Sequence, residues 1–320
     1  MKKVLVCGAT GFIGRNIVEA LARRDDLEVH GVRFSRPGFD CPGVVWHQAD
    51  LRDPQEVARL VQGMDVIVQA AATTSGAADI VARPYIHVTD NAVMNSHILR
   101  AAYDARVGQL VFFSCTVMLA SAEQPQTEAD WDASKEMHPR YFGIGWTKVY
   151  VEKMCEFFSR LGVTRHTVIR HSNVYGPHDK FDLARSHVVG ATVTKVMSAT
   201  DGRIVVWGDG SERRDLLYVG DLVDLVERCI DRQEAAYELL NAGSGEMIAV
   251  RDLVAAVIAA SGRDLRIVYD PAAPTIPFFI RLCSGRARDR FGWSPATGLD
   301  EGLRRTLAWW RDAYGGASAS

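Results

Sequence analysis

No stretch of this chain reaches the ~18 consecutive apolar residues that a membrane-spanning helix needs, so no membrane partner is expected. An excess of one charge sign is also missing. The 37 Lys and Arg face 39 Asp and Glu, a net charge of −2, which argues against a surface that coats nucleic acid. The six cysteines (Cys7, Cys41, Cys115, Cys155, Cys229, Cys283) are scattered, with no C-x-x-C pair. That spacing excludes a disulfide framework and a zinc site, so free thiols and no metal are expected. No G-x-S-x-G elbow occurs, so a serine hydrolase would lack its nucleophile. Met1-Lys2-Lys3 before the apolar Val4–Cys7 has the look of a short leader, but no A-x-A-like cleavage site follows. The reading is a first strand in a cytoplasmic protein.

What is there suits a packed globular chain: 48% hydrophobic residues, 24% charged, and a mean hydropathy of −0.04. Short runs rich in Val, Ile and Phe (Val4–Ala9, Leu27–Phe34, Asp65–Ala71, Gln109–Cys115, His166–Val174) alternate with segments of helical period. Ile13, Ile17, Ala20 and Leu21 fall on one stripe; so do Tyr150, Met154, Phe157, Phe158 and Leu161. Strand–helix alternation means βαβ units, and near-continuous apolar strands mean a sheet covered on both faces. The fold class expected is α/β, a doubly wound parallel sheet of the Rossmann kind with a smaller C-terminal lid. Residues 1–175 are expected to form the main part, to which the chain returns at about 216–245. Residues 176–320 otherwise build the lid, and Trp309-Trp310 is expected in its core.

The first turn carries chemistry. Gly8-Ala9-Thr10-Gly11-Phe12-Ile13-Gly14 follows the first strand directly and opens the first helix. Glycines there let backbone N–H groups approach a pyrophosphate, and the helix N-terminus favours the negative charge. Strand, turn and helix in that order make this a dinucleotide cradle. An NAD site usually ends the second strand with Asp or Glu for the ribose 2′-hydroxyl. Here the chain runs into Arg33-Phe34-Ser35-Arg36, and two guanidinium groups suit a 2′-phosphate. NADP is therefore expected, with NAD as the alternative. Asp50-Leu51 is placed to border the adenine, and Ala70 and Ala71 supply small residues beside the cofactor.

These residues resemble the extended short-chain dehydrogenase/reductase family, the NAD(P)-dependent nucleotide-sugar epimerases and dehydratases. Leu110–Val117 looks like the strand that carries the catalytic Ser or Thr. Asn173-Val174-Tyr175-Gly176-Pro177 is similar to the family's N-V-Y-G-P turn, and Phe291–Pro295 to its C-terminal G-W-x-P. Within the family the likeness is greatest to GDP-fucose synthases, which epimerise and reduce a GDP-4-keto-6-deoxy sugar. By that resemblance Ser114 bonds the sugar oxygen, His187 moves a proton, and Asn173, Trp207 and Arg214 contact the nucleotide sugar. Thr116 falls on the position of an acid/base cysteine. A homodimer is expected.

The resemblance breaks at one place. Family reductive chemistry needs Y-x-x-x-K, a phenol to exchange the hydroxyl proton and a lysine to lower its pKa and hold the nicotinamide ribose. Lys148 is present, but four residues before it stands Ile144, which has no proton to exchange. Tyr141 lies seven residues before Lys148, roughly 10 Å along a helix axis, too far to meet it as a phenol at 144 would. Two readings follow. One is an enzyme on a GDP-linked sugar with an altered proton relay. The other is a non-catalytic NADP-binding or sensing protein. Asn91 and Asn95 share a helix stripe with Ile98, so they are either helix–helix glue or a relay beside the cofactor. His171 and His178 are expected to be structural.

Overall fold

The computed structural model describes residues 1–73, 84–183, 186–273 and 279–315. Seven strands make one parallel sheet: β1 (Lys2–Cys7), β2 (Leu27–Arg33), β3 (Val44–Gln48), β4 (Val66–Gln69), β5 (Gln109–Ser114), β6 (Arg165–His171) and, after four short strands, β11 (Tyr237–Ala242). Their order is β11-β6-β5-β4-β1-β2-β3. The order reverses between β1 and β4, and in an open α/β sheet that switch point opens a crevice at the carboxyl ends of the strands. The chain is therefore doubly wound, as its strand–helix alternation led us to expect.

Side-chain alternation feeds two cores. Val4 and Val6 of β1 join one core, which is completed by α1 (Phe12–Leu21) and α6 (Val219–Arg232). Leu5 and Cys7 point the other way, onto α2 (Pro54–Leu60), α3 (Pro84–Asp104) and α4 (Phe142–Ser159). The period of two along each strand makes both faces apolar, which is why these strands read as unbroken hydrophobic runs.

A third core holds the C-terminal part. There α5 (Val188–Ser198), α7 (Val250–Ser261) and α9 (Leu299–Tyr314) pack with β8 (Arg203–Trp207) and β13 (Arg266–Asp270), which pair in parallel. Trp309 and Trp310 pack against this core, as expected. Between the parts, β7 (Asn173–Tyr175) pairs with β10 (Leu216–Tyr218), and β9 (Arg213–Arg214) with β12 (Ile248–Ala249). A short α8 (Gly285–Phe291) packs beside β11 and brings Trp293 to full burial, where its indole N–H donates to the Asp221 carbonyl at 2.9 Å. Asn16 on α1 donates to the Pro177 carbonyl at 2.9 Å, which ties the first helix to the start of the C-terminal part.

Candidate active site at the carboxyl edge of the sheet

The β1–α1 turn is built around close backbone approach. Gly8 sits at φ +73°, and a Cβ there would lie 2.7 Å from the Ala71 backbone. A Cβ on Gly14 would overlap the Gly8 carbonyl, so the loop closes tightly only with glycine at both points. Gly11 caps α1, its N–H donating to the Gly8 carbonyl at 2.9 Å, and no side chain caps the helix. The first-turn N–H groups of Phe12, Ile13 and Gly14 are thus left for an anion, with Thr10 beside them. Phe12 and Ile13 turn their side chains onto the first core. The donor set fits a dinucleotide pyrophosphate.

At the next strand, β2 ends in Arg33 with no carboxylate after it. Arg33 is half-buried and Arg36 exposed, and neither has an acidic partner among the described residues. The expected Asp50 stands past β3, but its carboxylate is held by Arg52 at 2.8 Å, a hydrogen bond that keeps it below the usual carboxylate range. Leu51 is buried in the second core. Past β4, Ala70 and Ala71 are half-buried, and the loop is shaped by side-chain amides. Gln69 donates to Asn95 at 3.0 Å, while Asn91 exchanges bonds with the Thr73 backbone at 2.9 and 3.1 Å. The two asparagines therefore pin the loop beside the cradle to α3 rather than join helix to helix.

Ser114 does not present its hydroxyl to the cleft, and that expectation is corrected. Its side chain has no exposed surface and donates to Glu152 at 2.6 Å. Glu152 is paired at 2.6 Å with Arg170 of β6, in register with Ser114. A strand reverses its side chains at every residue, so the group that follows the turned-in serine is Cys115. Cys115 is half-buried, and burial holds its thiol above the usual range while Lys148 acts against this. Thr116 is half-buried beyond it, its carbonyl accepting from the Leu119 N–H at 2.9 Å.

Lys148 on α4 donates to the Phe113 carbonyl at 2.7 Å. Burial lowers its pKa, with Cys115 and Glu152 opposing. Ile144 is half-buried one helical turn before it. Tyr141 stands at the N-cap of α4, half-buried, its pKa raised by burial. The charged groups that act on it are Arg214, Arg140 and Cys115.

The C-terminal part contributes the opposite wall. His187 is the N-cap residue of α5, and burial and the charge of Lys180 hold its pKa below the usual range. Arg214 is half-buried, its guanidinium donating to the Arg213 carbonyl at 2.9 Å, and burial lowers its pKa. Trp207 is 56% exposed, with Lys195 5.4 Å over its ring. Asn173 donates to the Asp215 carbonyl at 3.1 Å. His178 is positioned structurally, 3.2 Å from Glu19 and edge-on to Trp309.

His171, expected to be structural, ends β6 in this cleft. Its Nδ1 lies 2.8 Å from the Ser172 carbonyl, and its ring centroid is 6.2 Å from that of Phe113. Burial lowers its pKa to about 4, and Lys148 and His187 push the same way. A strand-end polar residue at the switch edge was the signal available in the sequence. No group of three or more His, Cys, Asp or Glu that could hold a metal occurs among the described residues. None of the described helices is long and apolar enough to cross a membrane.

A nucleotide cradle and a lysine at one edge of a doubly wound sheet define a dinucleotide-dependent enzyme of the α/β class. The model of the NAD dependent epimerase/dehydratase family matches residues 4–243, and the chain belongs to that family. It is 27% identical to a GDP-L-fucose synthase of Azorhizobium caulinodans, over 97% of this chain and 96% of that one. It is 28% identical to a dTDP-4-dehydro-6-deoxy-D-allose reductase of Streptomyces bikiniensis, over 97% and 96%. The fold is that of a UDP-glucose 4-epimerase of Thermotoga maritima solved with UDP-glucose. The TM-score is 0.85 at 24% identity, covering 97% of this chain and 99% of that one. By this likeness the chain belongs with the epimerases and reductases of the extended short-chain dehydrogenase/reductase type.

Proposed function

We propose that this protein is an epimerase, a 4-ketoreductase or both, acting on a GDP-linked 4-keto sugar with NADP(H), through an altered proton relay. The observation that carries the reading is Lys148 fixed on the Phe113 carbonyl at the cofactor edge, with Ile144 where the phenol would be. Bound NADP(H) supplies or receives the hydride. The Gly8–Gly14 turn holds its pyrophosphate, Arg33 and Arg36 its 2′-phosphate, and Lys148 its nicotinamide ribose. On the substrate side, Trp207 offers an exposed ring to a base and Arg214 a guanidinium to the diphosphate. His187 exchanges a proton at carbon beside the ketone, where the C–H is acidified. GDP is favoured because GDP-L-fucose synthases recur among the relatives that are alike over 95–97% of this chain, the Azorhizobium protein among them.

We also propose a homodimer, through a stripe on α4. Phe142, Trp146, Tyr150 and Phe157 are 61, 38, 46 and 57% exposed. Their spacing places them along one side of the helix, and exposed aromatic patches of this kind mark contact surfaces. The second functional reading, an NADP-binding protein without turnover, is favoured by Ile144 alone. Native mass spectrometry with NADPH and GDP-mannose, joined to NADPH consumption with GDP-4-keto-6-deoxymannose, separates the two. Binding of both ligands with turnover supports the enzyme. Binding of NADPH alone, without turnover, supports the second reading.

A further inference from the structure

Losing the phenol leaves the sugar hydroxyl without a proton acceptor, so the edge of the sheet must be searched for another. Among its groups, Ser114 is sealed against Glu152 and Lys148 is committed to the Phe113 carbonyl. His187, the N-cap residue of α5, is already assigned the proton at carbon. His171 is different. A carbonyl oxygen only accepts, so the 2.8 Å contact with Ser172 places the ring proton on Nδ1 and leaves the lone pair on Nε2. That Nε2 has no hydrogen-bond partner among the described residues, and the residue is half-buried. Phe113 links it to the lysine: one side of that residue meets the His171 ring, and its carbonyl holds Lys148.

Resting on the reading under Proposed function, we propose that His171 is the acid/base group for the sugar hydroxyl, in place of a phenol at position 144. When the sugar alcohol is oxidised, the C–H bond breaks and its electron pair leaves as hydride to the nicotinamide. The O–H bond breaks with it, and the proton forms an N–H bond at Nε2, leaving a ketone. In reduction the same imidazolium returns the proton to the oxygen as hydride arrives at carbon. The neutral form that burial enforces on His171 is the form a base needs at the start. Anionic pyrophosphates bound in the same cleft favour the imidazolium and oppose the push from Lys148 and His187.

The test uses the full chain with His171→Asn, and with His171→Phe to preserve packing on Phe113. Both are made with Ile144 and again with Ile144→Tyr. In the Ile144 form each substitution should lower kcat for NADPH-dependent reduction by ~10²–10⁴-fold, with KM changed less than about threefold. With Ile144→Tyr the same substitutions should cost less than about tenfold. Independently of turnover, ¹⁵N-histidine NMR should find the Nδ1–H tautomer in the free protein. Its His171 signals should move when NADPH and GDP-mannose are both added. Equal losses in both backgrounds overturn the proposal. So do unmoved His171 signals with both ligands bound, or full turnover in the His171 variants with loss in Tyr141→Phe. Failure of any nucleotide sugar to bind in native mass spectrometry overturns the functional reading itself, and this proposal falls with it.

Discussion

Ser114→Ala separates the geometry from the family pattern. In the structure the serine hydroxyl donates to the Glu152 carboxylate at 2.6 Å, inside a core that excludes solvent, and Arg170 completes the cluster through Nε and Nη2 at 3.0 and 2.6 Å. A hydrogen bond to a charged group contributes about 1.5–3 kcal/mol, and water cannot replace the lost donor at a site without exposed surface. Arg170 still satisfies the carboxylate, so the lower half of that range is expected. For a chain of this size that is a fall in Tm of about 2–4 °C. Turnover should stay within about threefold of wild type, because the hydroxyl faces away from the cleft. Cys115→Ala should do the reverse, leaving Tm within about 1 °C and changing kcat. Differential scanning fluorimetry beside an NADPH consumption assay reads both. A hundredfold loss of kcat in Ser114→Ala with an unchanged Tm would refute the argument and return the serine to the substrate side.

Three further outcomes follow. Arg33→Ala with Arg36→Ala should weaken NADPH by about 10–100-fold, the equivalent of one charged hydrogen bond, and leave NADH nearly unchanged. Fluorescence titration of both cofactors checks this, and equal wild-type affinities for the two would contradict it. Asp179 is buried, with one carboxylate oxygen unpartnered, and burial lifts its pKa to about 7. Its folded pKa lies above the unfolded value near 3.9, so the folded state holds an extra proton between the two. Stability should therefore fall as pH rises from about 4 to about 7, and Asp179→Asn should flatten that slope in urea titrations. Trp146→Glu with Phe157→Glu should halve the mass seen by light scattering if α4 forms the dimer seam, and a wild-type monomer would remove the seam altogether.

The fold was legible because its signals are local and repeated. Apolar runs six to nine residues long, a glycine turn after the first, and 3.6-residue stripes in the segments between them leave few alternatives to a doubly wound sheet. The cradle was legible for the same reason, since its glycines are adjacent in the chain. The rest of the site is assembled from strand ends, and there one residue of register decides which side chain enters the cleft. Motif comparison placed Ser114 at the mouth, but Glu152 and Arg170, 38 and 56 residues further along the sequence, draw its hydroxyl inward. His171 reads as structural in the sequence because a lone histidine at a strand end has no spacing partner there. Its neighbours Phe113, Lys148 and His187 come from three other segments and meet it only in the folded chain.

The central claim is proton and hydride chemistry on a nucleotide-linked 4-keto sugar. Its most direct test is NMR of GDP-4-keto-6-deoxymannose in D₂O with the full chain and NADP(H) present. The account predicts deuterium at C3 or C5 with wild type and none with His187→Asn. A sugar that binds, acquires no deuterium and is not reduced would contradict it.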